Sequence, residues 1–315
     1  GKDMLCMYLN NNEDSQLFTG KSLRLGGSKE LYKENGTVFG DLSAILIDNM
    51  PFWAEFSSTP SSKVSLMNDW EYKMQAIVEE TINENVTSLA GVPSWMLVLL
   101  NNVLDYTGKQ SLLDVWPNLE VYFHGGVSFV PYINQYKSIL PKSEFKYYEI
   151  YNASEGFFAI QDKNNSSELL LMLDYGIFYE FIPMETYGTD KEKIIPLSEV
   201  EKEKNYAIII TTNAGLWRYK IGDTVRFCSI NPYRIKVTGR TKHHINVFGE
   251  ELIIENAEDA LKRVCKKNNA KIMIFGNGGS AAIASHVSVD LTKNANIRSV
   301  NFNEADLITC FANDY

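Results

Sequence analysis

The chain has 315 residues, a hydrophobic fraction of 45%, a charged fraction of 22% and a net charge of -9. That length and balance suit a soluble globular protein with one large domain or two ordinary ones and a substantial core. The acidic balance excludes a general nucleic-acid binder, because phosphate contacts need a basic surface; the longest apolar run, around 95–100, is far too short to span a bilayer.

In chain order, residues 23–27 read as a short strand ending in a tight turn, and 40–47 lead into an apolar element broken by Pro51. Residues 69–82 are expected to be a helix, since Trp70, Met74, Ile77, Val78 and Ile82 recur at helical spacing. A strand at 86–92 is followed by Pro93, which suits the first turn of a helix running to Leu104. Strands at 119–124 and 145–151 flank a helix at 131–140. This alternation implies a largely parallel sheet with crossover helices, so the fold class is α/β. From Glu168 the pattern changes to short strands at 169–173, 178–182, 206–211, 215–219 and 223–230, an antiparallel region. The Lys- and Glu-rich stretch 191–204 reads as an exposed loop.

Cys6, Cys228, Cys265 and Cys310 are far apart and form no CxxC or Cys/His cluster, so buried free thiols and a reducing, cytoplasmic setting are expected. The opening residues lack the long apolar stretch of a signal peptide. Both ends read as cut, which makes the chain a fragment by expectation.

Three segments carry the chemistry. Glu155 follows the strand that holds Tyr151 and precedes Gly156; a carboxylate there either holds Mg2+ shared with phosphates or fills a turn. Asp223 follows Gly222 at an expected turn between strands, where it either accepts the hydroxyl protons of a ribose or serves as a turn residue. Its neighbours Trp217, Arg218 and Tyr219 offer either a stacking surface with positive charge or ordinary strand-surface side chains. Arg240 and Lys242 follow Val237, Thr238 and Gly239 and are cations suited to phosphate. His243 and His244 are adjacent on an expected strand, point to opposite faces and do not suit joint metal ligation. After His124, Gly125 and Gly126 either let an adenine lie on the backbone or form a turn.

Together these segments resemble the adenylate-forming enzymes, and most closely the auxin-responsive (Gretchen-Hagen-type) acyl acid amido synthetases. The likeness rests on VTSLAGVPSWMLVLL at 86–100, LEVYFHGGVSFVP at 119–131, YNASEGFFAIQ at 151–161, GLWRYKIGDTVRF at 215–227 and VTGRTKHHINVFGEELIIENAEDAL at 237–261. It implies that Glu155 binds Mg2+ and that Gly125, Gly126, Tyr151 and Ser154 line the nucleotide pocket. It also implies that Asp223 holds the ribose, that Arg240 approaches the ribose-phosphate region and that Lys242 is a hinge. The family reaction joins a carboxylic acid to ATP as an acyl-adenylate and then forms an amide with an amine or amino acid, with ATP and Mg2+ required and neither nucleic acid nor membrane as partner. The family's phosphate loop is expected upstream of Gly1, since Ser57 to Lys63 imitates its composition without a glycine. A catalytic lysine is expected beyond the likeness, so this chain alone would be a weak enzyme.

Residues 271–286, with Gly276, Asn277, Gly278, Gly279 and Ser280 between a strand and a helix, form a plausible phosphate cradle. This segment, through Tyr315, resembles part of a sugar isomerase (SIS) domain of the phosphoheptose-isomerase type, in which the glycine-rich loop binds sugar phosphate and a pair at the positions of His286 and Asp290 serves metal binding and catalysis; too short for a complete SIS fold, it reads alternatively as an inactive remnant. The expected organisation is a truncated adenylate-forming domain over 1–236, a hinge and start of a small C-terminal domain over 237–268, and a partial, fused SIS-like segment over 269–315. Two other functions remain open from sequence: an isomerase acting on sedoheptulose 7-phosphate, and a non-catalytic nucleotide-binding module.

Overall fold

The computed structural model describes residues 2–27, 32–34, 37–241, 245–247, 250–252, 272–274 and 299–301. The chain divides into two compact units, the first made of Gly1–Ile221 and Val225–Val237, the second of Gly222–Thr224 and Thr238–Tyr315.

The first unit begins with helix α1 (Lys2–Asn11), strand β1 (Lys21–Arg24) and the short antiparallel pair β2 (Tyr32–Glu34) and β3 (Thr37–Phe39). Helices α2 (Leu42–Asp48) and α3 (Phe52–Phe56) precede strand β4 (Ser58–Thr59), helix α4 (Ser62–Ser65) and the longer α5 (Trp70–Thr81). Then come β5 (Val86–Gly91), α6 (Pro93–Thr107), β6 (Val121–Gly125), α7 (Ile133–Ile139) and β7 (Lys146–Ala153). Strands β4, β1, β5, β6 and β7 pair in parallel in that order. Parallel neighbours need crossovers, and α5, α6 and α7 supply them.

Local chemistry explains these helices. Asp69 caps α5 by accepting from the Tyr72 amide. Pro93 opens α6, where its missing N–H costs nothing, and Gly108 closes it in a left-handed conformation. Met74, Ile77 and Val78 of α5 pack with Met96, Leu97, Leu100 and Val103 of α6 over Leu89 and Tyr122 of the sheet. Trp70 departs from the expected stripe: it is exposed, and its ring meets Trp95 edge-on at 5.6 Å. Trp70 opens the helix, and its indole turns to the rim of the core. Lys73 is buried instead, its Nζ donating to the carbonyls of Gly26 (2.7 Å) and Gly27 (3.0 Å) at the end of β1. Two close acceptors offset the cost of removing that ammonium from water. On the opposite sheet face, Tyr8 of α1 packs against Val121, Phe123 and Tyr148.

The antiparallel region starts earlier than the sequence pattern suggests. Strand β8 (Gly156–Ile160) turns straight back on β7 through Ser154 and Glu155, and β9 (Leu169–Leu171) continues the antiparallel run. The signal is hidden because 156–160 is an apolar run without alternation. Strands β10 (Ile177–Pro183), β11 (Ile195–Pro196), β12 (Asn205–Thr212), β13 (Tyr219–Ile230) and β14 (Tyr233–Arg240) complete a mixed sheet in the order β11-β10-β12-β13-β14-β9-β8-β7-β6-β5-β1-β4. A second core forms around Phe158, Phe181, Ile210, Val225, Phe227 and Ile235.

Three expectations are corrected here. Residues 215–218 are not a strand, because Gly215 and Arg218 both adopt positive φ and the segment turns. The charged stretch 191–204 is not wholly exposed: it carries β11 and buries Ile195 and Val200. Cys6 is exposed on α1 rather than buried, while Cys228 is half-buried; both are free thiols, and Cys265 and Cys310 lie outside the described residues.

Within the second unit, strands β15 (Ile245–Val247) and β16 (Glu250–Leu252) pair antiparallel, and β17 (Ile272–Ile274) and β18 (Ser299–Asn301) pair in parallel. No helix among the described residues is long and apolar enough to cross a membrane.

Candidate functional site

The residues singled out in the sequence fall into two groups, one in each compact unit. In the first unit, Gly125 ends β6 beside Ile150 of β7. A β-carbon on Gly125 would lie 2.4 Å from the Ile150 carbonyl oxygen and 3.2 Å from the Asn152 side-chain oxygen, so only glycine permits this approach. Gly126 follows with φ of 83°, turning the chain out of the sheet. Ser154 and Glu155 form the tip of the β7–β8 hairpin, where Ser154 is exposed and Glu155 half-buried. Tyr151 is buried, and its ring packs on Phe158 at 4.9 Å. Gly125, Gly126, Ser154 and Glu155 thus lie at the carboxyl ends of β6 and β7, the edge where ligands of α/β sheets bind.

Chemistry just inside that edge was not foreseen. His124 is buried, lies face to face with Phe129 at 4.2 Å, and sits opposite Glu149 in the β6–β7 register. Burial pushes the His124 imidazole down to about 3, which keeps the ring neutral. Burial also raises the Glu149 carboxyl, an effect that Lys236 partly opposes. A histidine immediately before a Gly-Gly pair was the available signal.

The second group is built by a kink. Asp223 does not sit at a turn between strands; β13 runs unbroken through it. Gly222 takes φ of 87° inside that strand, which bends the backbone without ending it. Asp223 and Arg240 come together as an ion pair, with Nε 3.3 Å from Oδ1; the carboxylate side chain is largely buried and the guanidinium more than half exposed. Beneath them Thr224 and Thr238 share a buried hydroxyl hydrogen bond of 2.9 Å, and the Thr241 hydroxyl donates to the Gly222 carbonyl at 3.3 Å. The threonines beside Gly-Asp and before Gly239 were the sequence trace of this support.

The flanking residues divide their roles. Arg218 holds φ of 45° and donates through Nε and Nη2 to the two oxygens of Glu180, each at 2.9 Å. That fork commits its charge to the sheet. Trp217 beside it is 83% exposed. Lys242, His243, His244, Gly276, Asn277, Gly278, Gly279, Ser280, His286 and Asp290 lie outside the described residues.

Among the described residues no group of three or more His, Cys, Asp or Glu could hold a metal ion. Mg2+ needs less from a protein, because phosphates and water supply most of its oxygens. A single carboxylate at an open hairpin tip, as Glu155 is, fits that demand.

Comparison with known proteins agrees with this architecture. Residues 1–145 match the GH3 family N-terminal domain and residues 170–240 the GH3 family central domain. Indole-3-acetic acid-amido synthetase GH3.4 of Arabidopsis thaliana is 32% identical over 187 residues, 51% of this chain and 30% of that protein. The 4-substituted benzoates-glutamate ligase GH3.12 of Arabidopsis thaliana is 25% identical over 236 residues, 68% of this chain and 38% of that protein. The matched stretches therefore span well under half the length of these relatives. Among solved structures, the AtGH3.15 acyl acid amido synthetase in complex with 2,4-DB superposes with a TM-score of 0.65 at 13% identity, covering 98% of this chain and 71% of that one. A 2-hydroxyisobutyryl-CoA ligase in complex with 2-HIB-AMP and CoA gives 0.50 at 12% identity, over 90% of this chain and 62% of that one. Both share the mixed α/β fold.

Proposed function

Because the chain belongs to the GH3 family across the domains at 1–145 and 170–240, we propose that it serves ATP-dependent activation of a carboxylic acid. The acid becomes an acyl-adenylate and then an amide with an amine or amino acid. The observation that carries this reading is the Asp223–Arg240 pair on the Gly222 kink. A carboxylate that accepts the hydroxyl protons of a ribose beside a guanidinium that faces phosphate suits a nucleotide, and the ion pair orients the guanidinium before phosphate arrives.

In this reading Gly125 and Gly126 form a bare backbone shelf for the adenine, with Tyr151 and Ser154 flanking it. Arg240 offsets charge on the phosphate under attack, and Lys242 serves as the hinge. Glu155 would hold Mg2+, which would supply neutralisation of phosphate charge. A carboxylate has no leaving group until AMP is attached, so phosphate neutralisation is where the protein lowers the barrier. We assign residues 1–236 to the adenylate-forming domain and 237–268 to the start of a small C-terminal domain. The boundary between the compact units at Val237 and Thr238 supports that division. The substrates are a small carboxylic acid and an amine or amino acid.

The test is calorimetric ATP binding together with pyrophosphate release over a panel of carboxylic acids. Asp223→Asn should lower ATP affinity at least tenfold while leaving the unfolding midpoint unchanged, the equivalent of about 1.4 kcal/mol. Unchanged ATP affinity would sink the nucleotide assignment. Binding without acid-dependent pyrophosphate release would leave a nucleotide-binding module.

A second reading concerns residues 269–315. The observation that favours a SIS-like reading is the parallel pairing of β17 with β18. Binding of sedoheptulose 7-phosphate that Ser280→Ala abolishes would support that reading; no binding, or binding unaffected by the substitution, would leave the segment an inactive remnant.

A further inference from the structure

Two buried polar atoms on one face of the sheet have no hydrogen-bond partner: Nδ1 of His124 and the hydroxyl of Tyr147. The register places Tyr147 beside Tyr122 and Glu149 beside His124, so all four side chains belong to neighbouring positions of β6 and β7. One ring, Phe129, packs against both side chains. Its centroid lies 4.2 Å from that of His124 and 5.0 Å from that of Tyr147. The other walls are aromatic, with Tyr136 stacked on Tyr122 at 5.0 Å.

A buried donor or acceptor without a partner is costly, and each one in a folded protein calls for an explanation. The Tyr122 hydroxyl shows the contrast: it donates to the Gly91 carbonyl at 2.9 Å, and the Tyr136 hydroxyl donates to the Pro93 carbonyl at 2.8 Å. These two neighbouring hydroxyls are therefore satisfied. His124 and Tyr147 stand out, and His124 is the penultimate residue of β6, next to the carboxyl edge of the parallel strands. Phe129 sits on the loop that leaves the sheet through Gly126, beside the exposed Val127 and Val130.

We propose that His124 is a binding residue for the carboxylic acid substrate, donating from Nδ1 to its carboxylate within an aromatic slot lined by Tyr122, Tyr136 and Tyr147 once Phe129 yields its place. This rests on the acid-activating function proposed above and assigns the acid's location within it. A neutral imidazole suits the task, because it offers a directed donor without the desolvation cost of a buried cation. The aromatic walls select a flat, ring-bearing acid.

The experiment uses the full chain labelled with 15N at histidine, titrated with benzoate, with acetate as the ringless control and ATP as a separate titrant. Benzoate should shift the His124 ring-nitrogen resonances far more than acetate and leave those of His243, His244 and His286 in place. His124→Phe should weaken benzoate binding about tenfold, the share expected of a hydrogen bond to a charged group. His124→Asn should recover part of that loss, and ATP affinity should stay unchanged in both variants. Benzoate binding with an unmoved His124 signal overturns the proposal, as does a His124→Phe variant that loses ATP and keeps benzoate. ATP binding with no benzoate binding also overturns it and leaves the nucleotide site standing. Failure of the wild-type chain to bind ATP instead removes the acid-activating function on which the proposal rests.

Discussion

The parallel and antiparallel halves of the large sheet secure their functional edges by different means. In the parallel half, β4, β1, β5, β6 and β7 are clamped between helices, and both faces are apolar. Glycine there acts by omission: Gly125 makes room for the Ile150 carbonyl. In the antiparallel half, glycine acts by conformation, as Gly222 bends a strand that continues on both sides. Charge also differs. Arg234 forks onto Asp162, with Nη2 at 2.6 Å, and Arg218 onto Glu180, whereas the parallel half buries its cation Lys73 against carbonyls. A parallel sheet covered on both faces has little room for ion pairs, so its chemistry gathers at strand ends. The antiparallel half instead carries paired charges along its length.

Five substitutions probe this contrast, in falling order of effect. Trp116→Ala in the parallel half and Phe227→Ala in the antiparallel half remove fully buried rings and should each cost about 3–5 kcal/mol in urea unfolding. If the halves fold as one unit, circular dichroism and fluorescence transitions will coincide in both variants; separated transitions would divide the sheet into independent halves. Gly125→Ala drives a methyl into a backbone carbonyl and should cost about 3 kcal/mol, at the upper end of overpacking penalties. A loss below about 0.5 kcal/mol would mean that β6 and β7 approach less closely than described.

Gly222→Ala should be milder. Its β-carbon would come 3.3 Å from an Arg240 nitrogen, and the cost comes mainly from the left-handed backbone, about 1–2 kcal/mol. Its informative readout is ATP affinity, which should fall because the kink that presents Asp223 is disturbed. The smallest effect is expected for Glu149→Gln. Burial raises the folded-state pKa of Glu149, so its ionised form opposes folding. The glutamine variant should have a higher urea midpoint at neutral pH. That advantage should shrink as pH falls through the raised pKa and vanish once Glu149 is protonated in both folded and unfolded chains. A pH-independent difference would assign the effect to packing instead.

Much of the parallel half was legible in the sequence. Asp69, the Met74–Ile77–Val78 stripe and Pro93 mark the helices because caps and helical spacing are local properties. Strands bounded by glycine pairs were found for the same reason. The antiparallel half was read less well. The apolar and aromatic residues of 215–218 imitate a strand, while the segment turns with Arg218 forked onto Glu180. Strand β8 escaped because both its faces are covered and alternation vanishes.

The sequence by itself determined the α/β class, the order of the chemical segments and the residues worth testing, since composition, period and turn chemistry are written over a few neighbouring positions. Only the tertiary structure decided that Asp223 lies within a bent strand paired with Arg240, that Arg218 is spent on Glu180, and that His124 and Tyr147 lie unpartnered under Phe129. Those facts depend on contacts between residues far apart in the chain. Local pattern cannot report a burial or a partner that long-range packing creates.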